Sequence, residues 1–168
     1  MAKSDESLRS TRLVFYKEDI EVIGRTLNAF LKNANARCVL LVDKDGHLVT
    51  KEGESSTYDM DTISALVAGS FAATKQMAKL LGEEEFSLMF HQGKKDNIQL
   101  SVVGERTILA VIFDDRTTLG MVRLYASQVS SKLAQVFDTI TQRKSEGEKI
   151  SQDFGQAAKG RLDDIFGN

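Results

Sequence analysis

Cys38-Val39-Leu40-Leu41-Val42-Asp43-Lys44-Asp45-Gly46-His47-Leu48-Val49-Thr50-Lys51 is two strands and the turn between them. The first five residues are apolar without interruption, the pattern of a strand covered on both faces. Asp45-Gly46 supplies the positive φ angles that a tight hairpin needs. Residues 47–51 return as a shorter, more polar strand suited to a sheet edge.

Upstream, Ile20, Ile23, Leu27, Phe30, Leu31 and Ala34 recur at helical spacing, predicting a first amphipathic helix of roughly 18 residues. Asn33 or Asn35 can end it, since Asn tolerates the left-handed backbone of a C-cap. Residues 1–13 are polar and predict a flexible N-terminus. Downstream, residues 52–58 predict a loop, and Asp59 is a good N-cap for a second helix running to about Leu81, with Gly82 as its stop. Three strands follow, at about residues 86–91, 97–103 and 107–113, with turns at Gln92-Gly93 and Gly104-Glu105. Leu119, Val122, Ala126, Val129, Leu133, Val136, Phe137 and Ile140 then trace one face of a long third helix. The order α-β-β-α-β-β-β-α, with two strands apolar on both faces and two edge-like, predicts an α+β fold with a five-stranded antiparallel sheet of order 2-1-5-4-3. The first and third helices cover one face. The folded domain spans residues 14–143, and residues 144–168 form a flexible tail with a short amphipathic segment at Leu162, Ile165 and Phe166.

On the second helix, Ile63, Val67, Ser70, Thr74, Met77 and Leu81, flanked by Leu66 and Phe71, predict the side turned to the sheet. Opposite lie Ala65, Gly69, Ala72 and Gln76, with Ala68 at the margin, where Lys, Glu or Arg would ordinarily sit. A glycine inside a helix costs about 0.5–1 kcal/mol relative to Ala, so Gly69 points to a face that lets another backbone approach. The strand carrying Phe86, Leu88 and Phe90 is a second contact candidate: an apolar edge invites pairing with another copy, which would join two sheets and set two second helices side by side.

Composition narrows the function. With 42% hydrophobic and 27% charged residues and a net charge of −2, the chain reads as a globular domain without a basic face for nucleic acid. The apolar runs are too short to cross a bilayer, and the N-terminus lacks the apolar core of a secretory signal. Cys38 is the single cysteine, so no intrachain disulfide exists and a cytoplasmic setting is expected. The two histidines, His47 and His91, have no nucleophile beside them, no metal-ligand spacing occurs, and no phosphate-binding loop is present, so neither an active site nor a cofactor is expected. Asp43, Asp45, Gly46, Leu48 and Glu52 coincide with positions of an EF-hand loop, but Leu41 would stand first and cannot ligate calcium, and the flanks read as strands rather than helices.

Three groups of residues carry a resemblance. Val111-Ile112-Phe113-Asp114-Asp115-Arg116-Thr117-Thr118-Leu119-Gly120-Met121-Val122-Arg123-Leu124, Leu66-Val67-Ala68-Gly69-Ser70 and Ala78-Lys79-Leu80-Leu81-Gly82-Glu83-Glu84-Glu85-Phe86 resemble the roadblock/dynein light-chain superfamily, and within it the MglB-like regulators of bacterial gliding motility and cell polarity. The likeness implies a homodimer that binds a GTP-loaded, Ras-like GTPase of the MglA type, two copies to one, and stimulates its GTP hydrolysis at a cell pole. It implies no inserted arginine: the GTPase's own switch residues are braced instead, so Arg106 and Arg116 read as solvated turn charges. The docking platform maps onto Ala65, Ala68, Gly69, Ala72, Ala73 and Gln76, and the tail residues Leu162, Ile165 and Phe166 become a second dock that assists nucleotide exchange. The competing readings are a dimeric scaffold and a small-ligand sensor, neither affecting GTP turnover. The dense apolar pattern around Leu40, Leu109 and Val129 leaves little room for a ligand cavity.

Overall fold

Strands β1 (Cys38–Asp43) and β5 (Thr107–Phe113) form the centre, paired antiparallel from Cys38↔Ile112 to Asp43↔Thr107. All of β5 and all of β1 but Asp43 is buried. β2 (Leu48–Gly53) flanks β1, while β4 (Asn97–Val103) and β3 (Leu88–Gln92) continue the sheet beyond β5. The order is β2-β1-β5-β4-β3, all antiparallel, as predicted. In this computed structural model residues 13–166 are described, without the side chains of residues 148, 160 and 162–166. Apart from Leu13, the N-terminal segment expected to be flexible lies outside the described residues.

Three helices complete the fold: α1 (Lys17–Ala34), α2 (Met60–Leu80) and α3 (Leu119–Phe166). α1 ends at Asn35, which takes the left-handed conformation at φ 50°. The Asp59 carboxylate accepts a hydrogen bond from the Thr62 amide at 3.1 Å, a cap worth about 1 kcal/mol. Period-2 alternation divides the strands between two cores. Cys38, Leu40, Val42, Leu100, Ile108, Ala110 and Ile112 pack beneath Met60, Val67 and Phe71 of α2. Alternate residues, including Val39, Leu41, Leu109 and Val111, turn the other way, where α1 packs on β1 and β2 and buries Ile23, Leu27, Phe30 and Ala34. α3 buries Val122, Ala126, Val129 and Leu133 and borders α1 across a shallow cleft.

Residues 15–136 make one compact unit, and α3 from Phe137 onward belongs to a second, taken by itself. In it Phe137 and Ile140 are buried, whereas Ile150 and Phe154 are 69% and 77% exposed. The sequence reading closes the domain at residue 143, yet helix continues through Phe166. Residues 144–166 contain no proline and are rich in Lys, Glu, Gln and Ala, which sustain a helix despite three glycines.

Candidate functional site

The buried side of α2 consists of Met60, Ser64, Val67, Ala68, Phe71 and Ala78. The helix is therefore turned by roughly 70° from the orientation predicted, at 100° per residue. Ile63, Ser70 and Thr74 are only partly buried, and Leu66, Met77 and Leu81 stand exposed instead of facing the sheet. The physical reason lies in the β1–β2 turn. Gly46, at φ 95°, presses so closely on α2 that a Cβ there would lie 3.1 Å from the Cα of Ala65 and 3.6 Å from the Cβ of Ala68. Small side chains are needed on that flank, and Ser64 is tolerated at 0% exposure because its hydroxyl donates to the Met60 carbonyl at 2.7 Å.

The rotation leaves a continuous uncharged face outside. Thr62, Ala65, Leu66, Gly69, Ala72, Ala73, Gln76, Met77 and Leu80 are all exposed and share one side of the helix. Leu66 is 65%, Met77 53% and Leu80 87% exposed. A side chain added at Gly69 would meet nothing within 4 Å. Of the six residues expected on this face, five lie on it, while Ala68 is buried beneath it at 6% exposure. Leu66, Met77 and Leu80 are the residues that sequence reasoning missed. Their signal was an apolar stripe too broad for one sheet contact, extending around more than half of the helix.

β3 forms the sheet edge nearest in sequence to that face. Leu88, at 38% exposure, and Phe90 point to the side away from α2, because Met89 between them packs into the α2 core. Phe90 stacks on Phe113 with ring centroids 6.1 Å apart. Phe86 is partly buried and precedes the strand; pairing there begins with the Val102 amide donating to the Ser87 carbonyl at 2.9 Å.

The arginines of the loops have distinct settings. Arg116 donates from Nε to Asp114 Oδ1 at 2.9 Å and from Nη1 to Glu54 Oε1 at 3.1 Å. Arg37, 14% exposed, bonds Asp96 at 2.6 Å and Glu54 at 3.1 Å and lies 5.9 Å from the centre of the Tyr58 ring. These hydrogen bonds raise both guanidinium pKa values and hold the carboxyls of Glu54 and Asp114 below their ordinary values. Arg106 sits exposed in the β4–β5 turn. Cys38 is fully buried, and burial pushes its thiol up to about 11, so it is an inert core residue. The Leu162, Ile165 and Phe166 side chains lie outside the described residues. Among the described residues no group of three or more His, Cys, Asp or Glu could hold a metal ion, and no helix is long and apolar enough to cross a membrane.

Comparison with known proteins gives this geometry a context. The profile of the Roadblock/LC7 domain matches residues 22–113. The structure is similar to Myxococcus xanthus MglB, with 41% identity and a TM-score of 0.72 over 76% of this chain and 96% of that one. It is also similar to the gliding protein MglB of Thermus thermophilus, at 33% identity and TM-score 0.71 with the same coverage. An MglB described as having a tetrameric arrangement matches at 31% identity and TM-score 0.73, again over 76% of this chain and 96% of that one.

Proposed function

The chain belongs to the Roadblock/LC7 domain family, among its MglB-like members, and we propose that it is a non-catalytic homodimer that binds a Ras-like GTPase of the MglA type and stimulates GTP hydrolysis. The observation that carries this reading is the outer face of α2, a charge-free helical surface with three large apolar side chains exposed above a glycine. Such a surface is costly in water and suits a second polypeptide. The GTPase docks on Ala65, Gly69, Ala72, Ala73 and Gln76, with Ala68 underneath keeping that flank low. Two copies join through the β3 edge, with Phe86, Leu88 and Phe90 along the seam. Their α2 helices then present one platform to one GTPase.

Phosphoryl transfer depends mostly on positioning and charge stabilisation, so a platform that fixes the GTPase's own switch residues accelerates hydrolysis without a residue of its own in the reaction. The double tether of Arg116 supports this: an arginine finger must extend, and this one is held by Asp114 and Glu54. The C-terminal segment with Leu162, Ile165 and Phe166 provides a second contact to the GTPase that assists nucleotide exchange. The setting is the cytoplasm, at a cell pole.

Docking is tested by Gly69→Arg and Ala72→Arg in a pull-down with the GTP-loaded GTPase. Both positions are exposed and open, so the variants stay folded and dimeric but lose the GTPase. Binding at the wild-type level would refute the assignment.

A further inference from the structure

The pairing of β3 with β4 decides which backbone groups of β3 face outward. Leu88 lies opposite Ser101 and Gln92 opposite Asn97. At one end the Val102 amide donates to the Ser87 carbonyl at 2.9 Å, and at the other the Gly93 amide donates to the Asp96 carbonyl at 3.1 Å. Residues 87, 89, 91 and 93 therefore turn their backbone groups toward β4 and its turn, because hydrogen-bonded and non-hydrogen-bonded pairs alternate along an antiparallel ladder. The amides and carbonyls of Leu88, Phe90 and Gln92 point to the free edge of the sheet, where such groups template another strand.

Charge is arranged about that edge in two runs of opposite sign. Glu83 and Glu84 precede the strand and Lys94 and Lys95 follow it; all four are exposed, and none has an ion pair among the described residues. Between the runs, residues 86–93 contain no Asp, Glu, Lys or Arg. Each run is pinned by the residue beside it. Glu85 accepts hydrogen bonds from Lys44 Nζ at 2.9 and 3.0 Å, and Asp96 accepts one from Arg37 Nη1 at 2.6 Å.

A two-fold antiparallel seam uses every outward backbone group of β3 in one register only, with Phe90 opposite Phe90 of a second copy and Leu88 opposite its Gln92. In that register residues 94 and 95 of one copy run alongside residues 86 and 85 of the other, next to Glu83 and Glu84. Resting on the reading that two copies join through this edge, we propose that the seam is closed at both ends by charge clamps, Glu83 and Glu84 of one copy against Lys94 and Lys95 of the other, and that the clamps make the edge select its own chain. The two-fold axis repeats the clamp, so a foreign strand without acid before it and base after it leaves charge unpaired at both ends. A parallel alignment sets acid beside acid and base beside base, and is refused for the same reason.

The test is a mixing experiment on the full chain. Glu83→Lys with Glu84→Lys makes both ends of the seam basic, and Lys94→Glu with Lys95→Glu makes both acidic. Each variant alone dimerises about tenfold or more weakly than wild type by sedimentation velocity at low salt, and high salt narrows the difference. Mixed together, the two form heterodimers in excess of random pairing by native mass spectrometry, because every corner of the mixed seam then joins acid to base. If either reversal disturbs the fold by circular dichroism, Gln at the same positions replaces it, and the wild-type salt dependence of dimerisation is lost. The clamps are overturned if the reversed variants dimerise like wild type, if the mixture pairs at random, or if the Gln variants keep the wild-type salt dependence.

A second variant separates failure of the clamps from failure of the seam. Leu88→Cys with Gln92→Cys places two thiols about 13 Å apart on one strand, too far to bond within a copy, and the native Cys38 is fully buried. Oxidation links two copies if Leu88 of one faces Gln92 of the other. Linkage together with random mixing keeps the β3 joint and discards the clamps, whereas a dimer that does not link discards both.

Discussion

Gly53 and Gly69 both lie within regular elements and answer different demands. Gly53 closes β2 at φ 98°, and a Cβ there would lie 2.4 Å from the Arg37 carbonyl oxygen. Gly53→Ala therefore combines left-handed strain with a backbone clash and should destabilise by more than about 2 kcal/mol in chemical denaturation. Gly69 has ordinary helical backbone and open space around it, so Gly69→Ala should instead raise stability by about 0.5–1 kcal/mol. If that stabilised variant binds the GTPase more weakly, the glycine is kept for close backbone approach. Unchanged binding would make it incidental. Arg116 is a third residue-scale case. Replacing it with Ala removes hydrogen bonds to Asp114 and Glu54 but no catalytic group, so stimulated GTP hydrolysis should fall by less than about threefold. A loss of 10³ or more is what removing an arginine finger would produce.

At the scale of elements, the sequence was most legible where one periodicity dominated. The unbroken apolar run at Cys38-Val39-Leu40-Leu41-Val42 could only be a central strand, and the α3 stripe from Val122 to Ile140 matches the buried set closely. α2 was harder because it is apolar on two sides, and composition cannot say which side meets the sheet. Contact from Gly46 on Ala65 and Ala68 decided the rotation, and that contact exists only once the hairpin is folded. The small-residue face was thus legible in part, through Gly69, Ala72 and Ala73. Leu66 and Met77 were assigned to the sheet side by the ordinary presumption that large apolar side chains lie inside, and Leu80 was given no face at all. The ion network was invisible for a related reason: Arg37, Glu54, Asp96 and Asp114 are distant in sequence, and only the sheet order brings them together.

For the molecule as a whole, that network joins the entry to β1, the end of β2, the β3–β4 hairpin and the exit from β5. Glu54 lies below its ordinary value of 4.5 because Arg37 and then Arg116 bond its charged form, and Asp114 lies below 3.8 chiefly because of Arg116. A carboxyl depressed on folding contributes stability that is complete above its unfolded value and lost as pH falls through the folded one. The melting temperature should therefore be flat from about pH 7 to pH 5 and decline below about pH 4. Arg37→Ala should lower it at neutral pH and flatten the acid limb. An acid limb identical to wild type would remove the network from the account.

The central claim is that the α2 platform acts on a GTPase, and single-turnover GTP hydrolysis by an MglA-type GTPase measures it most directly. Adding the wild-type protein should raise the rate by about tenfold or more, equivalent to about 1.4 kcal/mol or more off the barrier, and the Gly69→Arg dimer should leave it at the intrinsic value. A rate unchanged by saturating wild-type protein, or one raised equally by Gly69→Arg, would contradict it.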